Sequence, residues 1–283
     1  MVYNRNWRQG FVLIWLMMCG MLAFGAPVTH AQTVEKTADN CDHISWQKNQ
    51  WSTASLQVQQ VQACPEDKLG VSEKALAFNV SFTGNGFEHM LIEPTTDLVI
   101  PGKTKRISFY ARIDRGTNNY GWALAFIDGW GMEKDDRNRK FEFNLSKKLN
   151  EQWQLFSFDI PSDWVQPLKL KGLITHNYGS RDKPGNVSLS IDQITIETDI
   201  TDVNPTTGKL KGWEPGPAIK DGQPAAEPVA PLLVTNLSTS QKHNVFAGRQ
   251  PTLQLKAQSW LPGSREGTFN WTITDNAGKT VMT

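Results

Sequence analysis

From residue 75 onward apolar and polar positions alternate: Leu76, Phe78, Val80 and Phe82 are separated by Ala77, Asn79 and Ser81. A two-residue period sends successive side chains to opposite faces of a strand, whereas one face of a helix repeats every three to four residues. The pattern returns over 88–93, 106–113, 121–128, 140–145, 153–160, 171–177 and 187–197, with a weaker strand over 56–61. Turn chemistry divides the runs, as at Thr83-Gly84-Asn85-Gly86, Pro101-Gly102 and Lys183-Pro184-Gly185-Asn186. Strands at this spacing with no long helical period predict an all-β chain whose main body, 41–198, is one antiparallel sandwich of jelly-roll size.

The pattern then changes twice. Residues 199–230 carry Pro205, Pro215, Pro217, Pro224 and Pro228 with few apolar runs, the composition of an extended linker. Alternation resumes at Leu232-Leu233-Val234, over 252–257 and over 268–274, and Asp275-Asn276-Ala277-Gly278 reads as a hairpin turn. Residues 231–283 are thus expected to be the first strands of an immunoglobulin-like sandwich, about half of the roughly 100 residues such a domain uses.

The N-terminus reads as a removable segment. Arg5 and Arg8 precede an apolar run over 11–24, then small and polar residues up to Ala31. This is the layout of a secretory signal peptide, expected to be cleaved after Ala31; the apolar run is short for the about 20 residues of a bilayer span. Residues 32–40 are then an N-terminal tail, and the mature chain is expected to be secreted or periplasmic with no membrane span. Cys19 leaves with the signal, so Cys41 and Cys64 remain as a pair in an oxidising compartment. A disulfide between them is expected, closing a loop of about 22 residues and contributing about 3 kcal/mol.

Composition narrows the partners. With 29 Lys and Arg against 28 Asp and Glu, the formal net charge is +1, which gives no general attraction to nucleic acid or to an anionic membrane. Eleven Trp exceed ordinary usage, and Trp serves either as core filler or as a flat ligand platform.

Two stretches bear a resemblance. Trp153-Gln154-Leu155-Phe156-Ser157-Phe158-Asp159-Ile160 and the closing strand Val187 to Ile196, with Ile191-Asp192-Gln193-Ile194 at its centre, resemble the galactose-binding-like superfamily of carbohydrate-binding modules. The likeness covers about 41–198 and implies a jelly-roll sandwich that binds polysaccharide or oligosaccharide. It also implies a structural calcium ion held in part by Asp192, since that ion prefers carboxylate and backbone oxygens. Asn236-Leu237-Ser238-Thr239, His243-Asn244-Val245-Phe246-Ala247-Gly248 and Gly267-Thr268-Phe269-Asn270-Trp271 are similar to the immunoglobulin-like domains that precede catalytic barrels in secreted bacterial glycoside hydrolases. That resemblance implies a catalytic domain beyond Thr283.

Sugars are bound by stacking their C–H faces on aromatic rings and by hydrogen bonding their hydroxyls. Tyr120, Trp122 and Trp130 stand among Asn, Asp and Gly and combine both means. Trp130 reads as the platform, or alternatively as a lid over the sandwich edge; Trp122 shares a face with Leu124 and Phe126, which suits the core. His176, Asn177 and Tyr178 end a strand and form either a reading rim or a solvated turn. Tyr110 and Arg112 share the polar face of their strand and line either a cleft or the wet side of a sheet. Catalytic residues are expected to be none: Glu133, Asp135 and Asp136 are interleaved with Lys134, Arg137 and Arg139 as in a solvated loop, and no nucleophile elbow or zinc motif occurs. Two other readings stay open, an envelope assembly protein and a hydrolase whose site the sequence does not reveal.

Overall fold

The computed structural model describes residues 32–65, 73–114, 121–177, 184–216, 226–230, 233–239, 253–261, 273–274 and 280–282. The proposed signal segment lies outside the described residues. Among the described residues no helix is long and apolar enough to cross a membrane.

Period-two patterning becomes two antiparallel sheets. One has the order β10 (Gln154–Asp159), β7 (Lys103–Arg112), β12 (Gly185–Asp199), β4 (Lys74–Phe82), β3 (Ser55–Gln62), with β1 (Thr33–Asp39) also on β12. The other runs β2 (Trp46–Lys48), β5 (His89–Pro94), β11 (Lys169–His176), β8 (Ala123–Ile127), β9 (Glu142–Asn144), with β6 (Leu98–Val99) on β11. The core lies between them, where Phe78, Ile107, Phe109 and Leu189 from the first sheet and Ile92, Leu124, Phe126 and Leu173 from the second belong to one buried cluster. Alternate residues of each strand face outward, so a sandwich follows from the pattern.

The long closing strand β12 serves three partners. Its first half pairs with β4, from Gly185↔Phe82 to Ile191↔Leu76, and its second half with β1, from Ile194↔Asp39 to Asp199↔Thr33. Between them the register with β7 shifts after Asp192, and Gln193 takes a φ of +47°. An irregularity of this kind bends a strand so that its two halves can meet different neighbours. Residues 32–40, expected to be a tail, are therefore mostly strand β1. Beyond the sandwich, β13 (Leu233–Thr239) pairs with β14 (Leu253–Ser259) and β15 (Ile273–Thr274) with β16 (Thr280–Met282), both antiparallel.

Three expectations are corrected. No disulfide joins Cys41 and Cys64: both are buried, and Cys41 packs in the main core as a small apolar residue. Burial pushes its thiol well up, and Asp39, Asp192 and Asp42 add to the effect, so little of the nucleophilic thiolate forms.

The calcium ion does not fit the residues present. Asp192 is fully buried and its Oδ2 accepts the Cys64 amide at 2.7 Å. Asp39 accepts the Cys41 amide at 2.8 Å, the Ser45 hydroxyl at 2.7 Å and the Trp46 indole N–H at 2.9 Å. N–H and O–H donors thus meet the charge a cation would meet, and among the described residues no group of three or more His, Cys, Asp or Glu is placed to hold a metal.

The start of the expected linker is folded. Val203 and Leu210 form a β-bridge and cluster with Ile200 and Leu261, and Lys103 pairs with Asp202 at 2.6 Å. Trp213 then donates its indole N–H to the Gly129 carbonyl at 2.9 Å, while Trp130 donates its own to the Glu214 carbonyl at 3.0 Å. Gly216 lies so close to the Trp130 ring that a Cβ there would overlap it. Few apolar residues were needed for this docking, which is why a Pro-rich composition concealed it.

Candidate functional site

A cleft of about 580 Å³ lies over the outer face of the sheet β2-β5-β11-β8-β9. Its floor follows from alternation: Met90 and Ile92 of β5 point into the core, so His89, Leu91 and Glu93 point into the cleft. On β11 the pairing with β8 skips Lys171, the extra residue of a bulge, and turns it into the cleft beside Lys169. Gly172 makes the bulge possible, with a φ of +143° and no room for a Cβ against the Ile92 carbonyl. Five strands about 4.8 Å apart make the floor about 19 Å wide.

The two ends of the cleft differ. At one end His89 and His176 are opposite residues of β5 and β11, and the Phe87 ring stacks on both, at 6.0 Å and 16° to His89 and 5.8 Å and 24° to His176. Burial holds the His176 imidazole below its usual pKa, with Lys140 acting in the same direction and Glu142 opposing it, which favours the neutral ring. Trp51 lines the same end and is 75% exposed. Asn49 orients it: Oδ1 accepts the Trp51 amide at 2.9 Å, Nδ2 donates to Glu93 at 2.7 Å, and the Asn49 amide donates to the Leu91 carbonyl at 2.9 Å. The turn is therefore fixed to the floor.

The other end is charged. Lys169 pairs with Asp97 at 2.7 Å and Lys171 with Glu133 at 2.6 Å, while Lys140 pairs with Glu142 at 3.0 Å along the wall. One end thus offers flat apolar surface and the other fixed donors and acceptors, the two means by which a sugar is held.

Phe87 follows the tight turn Thr83 to Gly86, which Glu88 staples. Its carboxylate accepts the Thr83 amide at 3.0 Å, the Thr83 hydroxyl at 2.9 Å and the Gly84 amide at 2.7 Å. Burial alone would raise its pKa, but these hydrogen bonds together hold it below the usual value. A depressed carboxylate stabilises the fold above the ordinary Glu pKa of about 4.3 and loses that contribution as the pH falls through the folded value. Glu88→Ala is therefore expected to lower stability by about 1–2 kcal/mol at pH 7, with the difference from wild type shrinking toward pH 3, as read by thermal unfolding across that range.

Of the residues named from sequence, the structure brings His176 into the cleft. Asn177, next to it, is buried and donates its amide to the Glu88 carbonyl at 3.0 Å. Trp122 is fully buried in the core, and Trp130 is half-buried under Gly216. Tyr110 and Arg112 lie on the outer face of the opposite sheet, where the Arg112 guanidinium sits 5.1 Å above the Trp153 ring. Tyr120 and Tyr178 lie outside the described residues. Sequence reasoning missed Trp51, Phe87 and His89. A signal for Trp51 was present, since it is the sole apolar residue between Gln47 and Thr53 and so has no neighbours with which to form a core stripe.

No family model and no curated protein matches the chain. Among the solved structures to which it is similar are β-sandwich carbohydrate-binding modules. A structure on the promiscuous specificity of modules from the β-sandwich superfamily aligns at 15% identity and TM-score 0.35, over 54% of this chain and 57% of that one. The family 11 module of a cellulosomal cellulase of Clostridium thermocellum aligns at 14% and 0.33, over 58% and 94%. A family 29 carbohydrate-binding module aligns at 10% and 0.32, over 60% and 92%.

Proposed function

We propose that the sandwich binds a polysaccharide chain in this cleft without cleaving it. The observation that carries the reading is Trp51, an indole 75% exposed on a turn bonded to the floor of a cleft that is also lined with charged and hydrogen-bonding side chains. A floor about 19 Å wide suits several consecutive sugar rings better than one. The signal-like N-terminus and the second set of strands support a larger reading, in which the chain is exported and is the targeting region of a glycoside hydrolase. Its mechanism is proximity: a linked binding site raises the substrate concentration that the catalytic site meets.

Affinity electrophoresis of the purified chain through gels containing polysaccharides tests the binding. Retardation by at least one glycan, reversed by the free oligosaccharide, is the expected result. Passage unchanged through every gel would remove the reading and favour protein contacts at the Trp51 and Phe87 surface. Release of reducing ends from the retarding glycan would show a hydrolase instead.

A further inference from the structure

We infer that the cleft selects an uncharged glycan and reads its neighbouring hydroxyls with ion pairs used as donor–acceptor doublets. The inference rests on the proposed glycan-binding role and adds the chemical class of the ligand.

Its basis is the charge balance of the cleft. Four lysines line it, and four carboxylates match them. Three of each are joined as Lys169–Asp97, Lys171–Glu133 and Lys140–Glu142, at 2.7, 2.6 and 3.0 Å. The fourth carboxylate, Glu93, receives the Asn49 amide at 2.7 Å. Such pairs add little to stability at half-exposed positions, so stability alone gives no reason to gather them over one floor.

For a ligand they make a specific surface. An ammonium has three donors and a carboxylate about four acceptor sites, so a pair that has used one of each keeps several free. A hydroxyl can accept from the lysine while its neighbour on the same ring donates to the carboxylate, and both bonds are charge-assisted. The pair is not broken, and no charge is left without its partner.

A charged ligand meets the opposite situation. At each of the three ion pairs a uronate or sulfate must displace a carboxylate from its lysine and then lie close to that carboxylate and the others, and an amino sugar must do the same with the lysines. Like charges brought together in this way are how a surface rejects the wrong partner. Trp51 and Leu91, at the other end, add stacking and contact that do not depend on ligand charge.

The test uses the full chain with its outermost acidic groups altered. Asp97 and Glu133 have side chains 74% and 56% exposed, so Asp97→Asn/Glu133→Gln leaves the core untouched. Wild type and variant are compared on mixed-linkage β-glucan, galactomannan, polygalacturonate and chitosan, at about 50 and 500 mM NaCl, a range over which screening removes attraction between exposed charges. For wild type, retardation is expected with a neutral glycan only, its affinity changing less than about twofold across the salt range. The variant is expected to lose about tenfold on the neutral glycan, because two charge-assisted acceptors become neutral amides, and to gain retardation by polygalacturonate that disappears at high salt. Wild-type binding to polygalacturonate or chitosan in preference to both neutral glycans would overturn the inference and leave glycan binding standing. So would a variant with unchanged neutral affinity. Failure of the wild type to bind any of the four would overturn the inference together with the reading on which it rests.

Discussion

Trp51→Ala is expected to weaken glycan binding by about thirtyfold, the equivalent of about 2 kcal/mol, with the melting temperature unchanged. The combination is what makes the result informative. At 75% exposure the ring gives the core little, so removing it leaves no cavity. What is lost is an aromatic face whose backbone Asn49 already holds in place, so that ordering of the turn adds no cost to the ligand contact. Calorimetric titration with the retarding oligosaccharide, paired with thermal unfolding of both proteins, checks it. A loss below about threefold would move the platform elsewhere. Trp130→Ala is the natural comparison: its ring is covered by Gly216 and its N–H is engaged by Glu214, so its effect is expected on the docking of the chain after the sandwich.

Trp122→Ala has the largest expected effect on the fold, about 3–5 kcal/mol. Trp122 is fully buried in the core cluster that holds Leu124 and Phe126, and its carbonyl accepts the Leu145 amide at 2.8 Å. Set against a total of about 5–15 kcal/mol for a typical domain, the loss lowers the melting temperature by about 10 °C or more, read by scanning calorimetry. Trp122→Phe is expected to be much milder. It keeps an aromatic ring and removes an indole N–H that has no hydrogen-bond partner among the described residues.

These two tryptophans show how far the sequence can be read. Trp122 stands two and four residues from Leu124 and Phe126, and a period of two was enough to suit it to the core. The same rule located β4, β7, β10 and β12 to within a few residues. It failed for β1, whose residues Thr33 to Asp39 are mostly polar because the strand lies on the edge of β12 and buries only Ala38. Alternation tells which residues share a face. It does not tell which sheet carries the cleft, and so the sequence leaves Tyr110 and Arg112 as either cleft residues or the wet side of a sheet; they lie on the sheet opposite the cleft. The juxtaposition of His89 and His176 was beyond any local signal, since their strands are neighbours in space but separated in the chain by β6 to β10.

The reciprocal bonds of Trp130 and Trp213 carry the hold on the chain past the last strand of the sandwich. The chain is held to the β8 end of the fold as far as Gly216. It is held again at Trp260, which joins the main core, and at Leu261, which joins the cluster of Val203 and Leu210. Among the described residues, Glu227 between these points also pairs with Lys209, at 2.8 Å. A pull on the chain at Leu261 is therefore met by the body of the sandwich itself rather than taken up by residues 199–216.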